Sequence, residues 1–484
     1  MTLKKKAIRG FIWNLSNKII NQLGYIATTI YISRLIGPES FGLIGMITVF
    51  ILLAESIVSG GFTQALVQRS HSITEEDAST IFYVNMTWGI FMYIALFFSA
   101  PAIADFYSEP LLVDISRVMF LVILINSFSI VAIAKLTINI DFKSQAIAGT
   151  FAVLLSSFFA LYLSNQGYGI WSLVGLILSK ALFQNIGLWY FCRWYPKLLF
   201  SIRSFNMLFK FGSNLMLAGL GSTLLNNLYI ALIGRYFNAA SVGYFTQGAN
   251  LSNFLSGFIS STLQGVTYPV MTSIKEDRTR LVEVYKKVIS VTMLVSLPLL
   301  IGFASIADVF VLLFLGEDWS AVIPVLFALC LARAVTPINS INMNILNAIG
   351  RSDLYLKVDL SKYPMVLGGF FIGINYGIIG VAWVMVGTSL ISFFINAYYP
   401  GKFFGFGAVA QLKVAYKYIL AAALMFISVI SLSFEANLWL ILILKVALGI
   451  VVYFIALIIM RDSFLLQFLQ AVFRRAIAKL KLSD

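Results

Sequence analysis

The chain has 484 residues, of which 60% are hydrophobic and 11% are charged, and its mean hydropathy is +0.92. Soluble globular proteins are about 45–50% apolar and about 25% charged, so this composition excludes a soluble fold and predicts a membrane protein. The net charge of +14 fits cytoplasmic loops that face anionic lipid and does not indicate a nucleic-acid partner.

Hydropathy predicts fourteen membrane-spanning helices, since one crossing needs roughly 20 mostly apolar residues. The first six cover residues 11–33, 41–65, 81–103, 115–134, 147–164 and 170–192. The next six cover residues 211–234, 242–270, 288–307, 321–349, 358–374 and 378–399, and a final pair covers 418–432 and 438–460. The Lys-rich N-terminus resembles a signal peptide, but its apolar stretch is long and has no small-residue cleavage site. It therefore predicts a retained first helix.

Basic residues are distributed unequally between the two sides of the membrane. If the N-terminus is cytoplasmic, the inner segments hold 26 Lys and Arg and the outer loops hold 3. The positive-inside rule then places both termini in the cytoplasm.

An internal repeat relates the two halves of the chain. The segment from Arg34 to Gly42 aligns with the segment from Arg235 to Gly243 at an offset of 201 residues, and three shorter matches follow in the same order. Six predicted helices separate equivalent positions of the two copies. Because six is an even number of crossings, both copies have the same orientation, and the predicted pseudo-twofold axis follows the membrane normal.

The predicted fold is an all-α polytopic membrane protein built from two six-helix bundles and two additional helices. The bundles occupy residues 1–200 and 201–405, the additional helices residues 406–462, and a basic amphipathic tail residues 463–484. Such a tail is expected to lie on the inner leaflet.

Motifs for enzymatic chemistry are absent from the sequence. It has no phosphate-binding Gly-x-x-x-x-Gly-Lys loop and no His-Glu-x-x-His helix, and its loops are too short for a catalytic domain. With Cys192, Cys330 and His71 as the only cysteines and histidine, a disulfide framework or a metal site is not expected. We predict a protein without enzymatic activity or cofactor.

Ionisable residues inside spans indicate a functional interior, because burying each costs about 2.5–3.5 kcal/mol at the helix centre. The six that we select as candidate ligands are Glu55, Lys180 and Arg333 at the greatest depth, and Lys18, Asp359 and Lys362 nearer the cytoplasm. Four are basic and two acidic, so the interior favours an anionic group such as a diphosphate. Alternatively, the acids pair with lysines to hold helices together, and Lys18 and Lys362 extend to the lipid headgroups.

Amide side chains form stripes on three predicted helices. The stripes contain Asn14, Asn17, Lys18 and Asn21 in the first helix, Gln247, Asn250, Asn253 and Gln264 in the eighth, and Asn339, Asn342 and Asn347 in the tenth. A polar stripe in a spanning helix should face protein or water. We select Asn250, Asn253, Asn339 and Asn342, with Gln64, as candidate sugar ligands; interhelical hydrogen bonds are the alternative.

Four segments resemble a known family. They are Gly10-Phe11-Ile12-Trp13 after the Lys-rich start, the turn from Ile32 to Gly42, the stretch from Gly61 to Gln68, and Asp141-Phe142-Lys143. Together they resemble polysaccharide exporters of the Wzx/WzxC type, in the multidrug/oligosaccharidyl-lipid/polysaccharide exporter superfamily.

The resemblance implies a bacterial inner-membrane flippase. Its substrate would be an undecaprenyl-diphosphate-linked oligosaccharide, moved to the outer leaflet by alternating access for O-antigen, capsule or exopolysaccharide assembly. No family motif fixes the ligands, so the site residues rest on burial and charge alone. On that basis, Arg333, Lys180 and Lys18 would hold the diphosphate, and the membrane potential, or exchange of H+ or Na+ at Glu55, would drive transport. A polysaccharide polymerase is a further expected partner. The alternatives are a peptidoglycan-precursor flippase, a multidrug cation antiporter and a membrane scaffold.

Overall fold

The computed structural model describes residues 3–69, 73–433, 435–462 and 464–466, and between residues 3 and 18 it describes the side chains of Trp13 and Asn17 only. All regular structure in these residues is helical. The predicted tail beyond residue 466, His71 and the side chain of Lys18 lie outside the described part.

The first half of the chain contains nine helices in the described residues. They are α1 Leu3–Ser59, α2 Phe62–Gln68, α3 Glu75–Tyr107, α4 Leu112–Met119, α5 Leu121–Ser127, α6 Ile130–Ile138, α7 Phe142–Asn165, α8 Trp171–Cys192 and α9 Ile202–Tyr236. The helices that follow are α10 Ala239–Ser273, α11 Arg278–Ser305, α12 Ala307–Phe314, α13 Val322–Ala334, α14 Thr336–Ala348, α15 Ser352–Ser361, α16 Tyr363–Gly373, α17 Gly377–Phe404, α18 Ala408–Ile430 and α19 Leu438–Ile459. Two 3₁₀ turns cover Glu317–Trp319 and Ile374–Tyr376.

Eleven helical stretches of the described chain are long and apolar enough to cross a membrane. Ile19–Gln68 has 50 residues and Ser352–Phe404 has 53, whereas one crossing needs roughly 20. Each of these two stretches holds two predicted spans, and α10 holds one more that is not among the eleven. The helices therefore accommodate all fourteen predicted spans and confirm the polytopic all-α class.

The chain divides into two compact units, Met1–Thr246 and Gln247–Asp484. In the first unit, α1 packs against α7 and α9, and α7 packs against α8. In the second unit, α13 packs against α17, and α18 packs against both α11 and α19. Because α9 packs against α1, α2 and α3, it belongs to the first compact unit. The bundle boundary at residue 200, which follows from the repeat, stays a prediction.

A sharp bend replaces the predicted loop between the first two spans. Gly37 has φ 68° and ψ 175° within α1, and Pro38 follows it. Glycine adopts positive φ without steric cost, and proline disfavours the helical conformation of the residue before it. The chain therefore changes direction at these two residues and resumes a helix at once.

Two glycines from the repeat motif lie against each other in the first unit. A Cβ atom on Gly42 would overlap the carbonyl oxygen of Ala239, and a Cβ atom on Gly243 would overlap that of Pro38. Gly42 and Gly243 are equivalent positions of the internal repeat. Their lack of side chains thus lets the start of α10 approach the backbone of α1.

Replacing Gly42 with alanine should destabilise the protein. The new methyl group would push the two helices apart, and overpacking of this kind typically costs about 1–3 kcal/mol. The purified variant should unfold at a lower temperature than wild type. Gly221→Ala is the matched control, because a Cβ atom at that helical position meets no atom within 4 Å; equal melting temperatures for the two variants would contradict the prediction.

Candidate functional site

A polar cavity of about 330 Å³ lies within the first unit, between α1, the α5–α6 segment and α8. Its polar lining comprises Glu55, Ser59, Thr63, Asn126, Ser127, Ser129, Gln184 and Asn185, and its apolar lining Val58, Ile123, Ile130, Ile133 and Ala181. A cavity of this composition among spanning helices can hold water or the hydroxyl groups of a ligand.

Glu55 is the acidic group of this cavity. The side-chain amide of Asn126 donates to its carboxylate at 2.6 Å. Among the described residues Glu55 forms no ion pair. The alternative in which it pairs with a lysine is therefore not what the structure shows, and Glu55 is available to a proton, a cation or a hydroxyl donor.

The cavity lies where a spanning helix is broken. The predicted span 115–134 comprises three short helices, with interruptions at Phe120 and at Phe128–Ser129. The side chain of Asn185 donates to the carbonyl of Ile125, and the Trp189 indole donates to that of Phe128 at 3.1 Å. Side chains of α8 thus satisfy carbonyls at the break, as broken helices in membranes require.

Lys180 lies on α8 one turn before Gln184, a residue of the cavity wall, and residues four apart share a helix face. Its ammonium group lies 5.1 Å from the centre of the Tyr25 ring. Within the described part of the chain, it has no carboxylate partner. A half-buried cation that contacts only an aromatic ring can still bind an anion.

Arg333 belongs to the second unit, at the end of α13. Its Nε atom is buried and has no hydrogen-bond partner among the described residues. The Oδ1 atom of Asn339, in the following helix, is likewise buried without a described partner. Buried groups of this kind cost free energy unless a ligand or water satisfies them, which keeps both residues as candidate ligands.

Asp359 and Lys362 bind each other. Their side chains, three residues apart in sequence, form an ion pair at 2.7 Å. This matches the alternative prediction that the acids pair with lysines. Gln64, Asn250 and Asn253 have exposed side chains on their helices. Whether any of these five residues contacts substrate stays a prediction.

Asn342 takes part in a closed hydrogen-bond network inside the second unit. Its amide oxygen accepts from the Tyr285 hydroxyl at 2.5 Å and from the Gln411 amide at 3.0 Å. Its own amide nitrogen donates to Gln411 at 3.1 Å. All three side chains are fully buried. This amide therefore connects α14 to α11 and α18, which matches the alternative prediction that the amides form interhelical hydrogen bonds.

Two amides of the first-helix stripe, Asn17 and Asn21, face protein. Asn21 donates to the backbone carbonyl of Asn17 at 2.8 Å, and both side chains lie against Gly149 of α7. Sequence reasoning missed the cavity residues Asn126 and Asn185. The sequence did contain a signal for them, since Asn126 is the one amide of the predicted span 115–134 and Asn185 follows Gln184 within the predicted span 170–192.

The helices and the polar cavity define the chain as a polytopic α-helical membrane protein with a polar interior. In the residues that the structure describes, no three His, Cys, Asp or Glu side chains cluster as metal ligands would. The model of the family described as "Polysaccharide biosynthesis protein" matches residues 31–324. The chain belongs to this family.

Individual relatives agree with this assignment. The chain is 27% identical over 351 residues to the teichuronic acid biosynthesis protein TuaB of Bacillus subtilis (strain 168), a match that covers 71% of this chain and 72% of TuaB. It is 25% identical over 405 residues to the lipopolysaccharide biosynthesis protein WzxC of Escherichia coli (strain K12), a match that covers 82% of each. The predicted resemblance to WzxC-type proteins is confirmed.

A solved structure shares the fold. Lipid II flippase MurJ, in its inward closed conformation, superposes with a TM-score of 0.75 at 17% sequence identity, covering 94% of this chain and 100% of the MurJ chain. At this identity, the similarity concerns the fold.

Proposed function

We propose that the protein is a flippase of the bacterial cytoplasmic membrane. It moves an undecaprenyl-diphosphate-linked oligosaccharide from the inner to the outer leaflet for O-antigen, capsule or exopolysaccharide assembly. The observation that carries the proposal is the family match across residues 31–324. The names of TuaB and WzxC, which refer to teichuronic acid and lipopolysaccharide biosynthesis, support the same class of substrate. Both termini lie in the cytoplasm, as the distribution of basic residues indicates.

The protein recognises the two parts of this substrate by different interactions: the diphosphate by charge and the sugars by hydrogen bonds. Lys180 and Arg333 bind the diphosphate, because both are cationic, lie within spans and lack a described acidic partner. Lys18 is a third candidate by sequence. The amides and hydroxyls of the polar cavity bind sugar hydroxyl groups, which need donors and acceptors of this kind. The lipid chain stays in the bilayer, where its burial costs nothing.

Transport proceeds by alternating access and needs no catalytic chemistry. With a negative interior, outward movement of an anion is favoured by about 2.3 kcal/mol per charge per 100 mV. A diphosphate with about two charges could thus be driven by the potential alone. Exchange of H+ or Na+ at Glu55 would add a second driving force, and its bond to the neutral Asn126 amide leaves that carboxylate free to change its ligand during the cycle.

A deletion strain tests the proposal. We expect undecaprenyl-diphosphate-linked oligosaccharide to accumulate on the cytoplasmic side and surface polymer to disappear, with both effects reversed by the intact gene. The empty vector and an unrelated membrane protein are the controls. Normal surface polymer in the deletion strain would reject the proposal.

Two alternative functions give different results in the same strain. For a peptidoglycan-precursor flippase, lipid II would accumulate and cells would lyse, while capsule or O-antigen precursors stayed at normal levels. For a multidrug cation antiporter, cationic drugs would become toxic while polymer remained intact. Co-purification with the polysaccharide polymerase would test the expected partner.

A further inference from the structure

A basic cleft of about 400 Å³ lies in the second unit, away from the residues discussed above. Lys287 of α11 and Lys413 and Lys417 of α18 line it, together with the segment that follows α19. Tyr416 and Phe464 provide aromatic surface at the same place. We call this site the basic cleft.

The cleft has an excess of positive charge. Among the described residues that line it, the one acid is Asp462, which is buried and accepts from the backbone N–H of Leu465 at 2.8 Å. None of the three lysines forms an ion pair with an acid of the described chain. Lys417 donates to the carbonyl of Arg461 at 3.1 Å, which leaves two of its three N–H groups for a ligand. The lysines can therefore bind an anion together.

The positive-inside rule places the cleft at the inner leaflet. α11 begins at Arg278 and α18 at Ala408, and α19 ends at Ile459, all on the side that the rule assigns to the cytoplasm. The lysines lie five to nine residues into their helices, or about 8–14 Å from the helix starts. The 28 residues of α11 span about 42 Å, which exceeds the roughly 30 Å hydrocarbon core by about 12 Å. With that excess divided equally between the two ends, the backbone of Lys287 lies about 8 Å inside the hydrocarbon, a depth from which a lysine side chain can extend to the headgroups.

We infer that the basic cleft binds the phosphate headgroup of an anionic phospholipid of the inner leaflet. Charge-assisted hydrogen bonds from the lysines recognise the phosphate, and the aromatic side chains suit the interface where lipid headgroups meet hydrocarbon. Because the lysines belong to α11 and α18 and the cleft is also lined by Asp462 and Phe464, which follow α19, a bound lipid would hold the C-terminal helix pair against α11. This inference does not depend on the identity of the transported substrate.

Thermal unfolding of the purified full-length protein in detergent tests the inference. Phosphatidylglycerol should raise the melting temperature of the wild type, since a ligand that binds only the folded state stabilises it. In K413Q/K417Q, the half-saturating concentration of phosphatidylglycerol should increase on the order of tenfold. The matched control is K357Q/K402Q, which removes the same charge from two exposed lysines outside the cleft and should respond as the wild type does.

Three other ligands identify the source of the phosphate. Phosphatidylcholine carries a phosphate without net charge and should stabilise weakly, and inorganic phosphate should have no effect at the same concentration. Stabilisation by inorganic phosphate equal to that by phosphatidylglycerol would overturn the inference in favour of a free anion site. Exclusive stabilisation by undecaprenyl diphosphate would overturn it in favour of a substrate site, and an unchanged response in K413Q/K417Q would overturn it altogether.

Discussion

Replacing Lys180 with methionine should reduce polymer export by about tenfold or more while the protein remains folded in the membrane. Methionine preserves the length of the side chain and removes the ammonium group that we assign to the diphosphate. A hydrogen bond to a charged group contributes about 1.5–3 kcal/mol, and 1.4 kcal/mol corresponds to tenfold. The export rate should therefore fall by about tenfold or more, measured as surface polymer in the complemented deletion strain at equal protein levels.

The controls separate charge from packing. Lys180→Arg keeps the charge and should retain part of the export. Tyr25→Phe keeps the ring that contacts the ammonium group and should export normally, which would show that the tyrosine hydroxyl has no role. Wild-type export by Lys180→Met would assign this lysine to packing against the Tyr25 ring and reject its role in binding the diphosphate.

Replacing Gln411 with leucine should destabilise the second unit strongly. The Gln411 side chain accepts from Asn342 and donates to the carbonyl of Phe406 at 3.1 Å. Leucine would leave both partners buried and unsatisfied, at about 1–3 kcal/mol each. We expect the free energy of unfolding to fall by about 2–5 kcal/mol, seen as a lower melting temperature and lower abundance in the membrane.

A triple variant tests whether the loss comes from unsatisfied polar groups. Tyr285→Phe, Asn342→Leu and Gln411→Leu together remove every side-chain member of the network, and such replacements can be nearly neutral. The triple variant should be more stable than Gln411→Leu alone. Leu412→Ala, at an exposed position of the same helix, should have little effect. A triple variant less stable than the single one would show that shape, and not hydrogen bonding, determines stability here.

The spans could be predicted from the sequence because the hydrocarbon core imposes one length and one composition on every crossing. Hydropathy could not predict how neighbouring crossings join. Gly37 and Pro38 were visible as a turn, yet the structure bends there inside one long helix. The break at Phe128–Ser129 was missed because hydropathy averages over Asn126 and Ser127 within an apolar window.

The candidate site was predicted only in part. A stripe of polar residues identifies which face of a helix is polar, but it does not identify the residues that contact this face. Asn342 looked like a ligand by its stripe, but its partners are Tyr285 and Gln411, which are 57 and 69 residues away in sequence. Asn185 is adjacent to Gln184 and belongs to no helical stripe of amides, yet it lines the polar cavity. Buried charge indicated Glu55, which lines the polar cavity, and Lys180, and neither has an ionic partner among the described residues; their roles as ligands stay predictions.

The contact between Gly42 and Gly243 has an evolutionary consequence. Equivalent residues of two repeat copies that contact each other resemble the centre of a symmetric homodimer interface, in which one mutation changes both sides at once. In a single chain that carries both copies, each copy can change alone, and the turns before the glycines differ. One copy turns at Gly37 with positive φ, and in the other the side chain of Asn238 accepts from the Ser241 N–H at 2.9 Å and caps α10. The two copies therefore reach the same close approach through turns of different chemistry, and a mutation in one turn leaves the other unchanged.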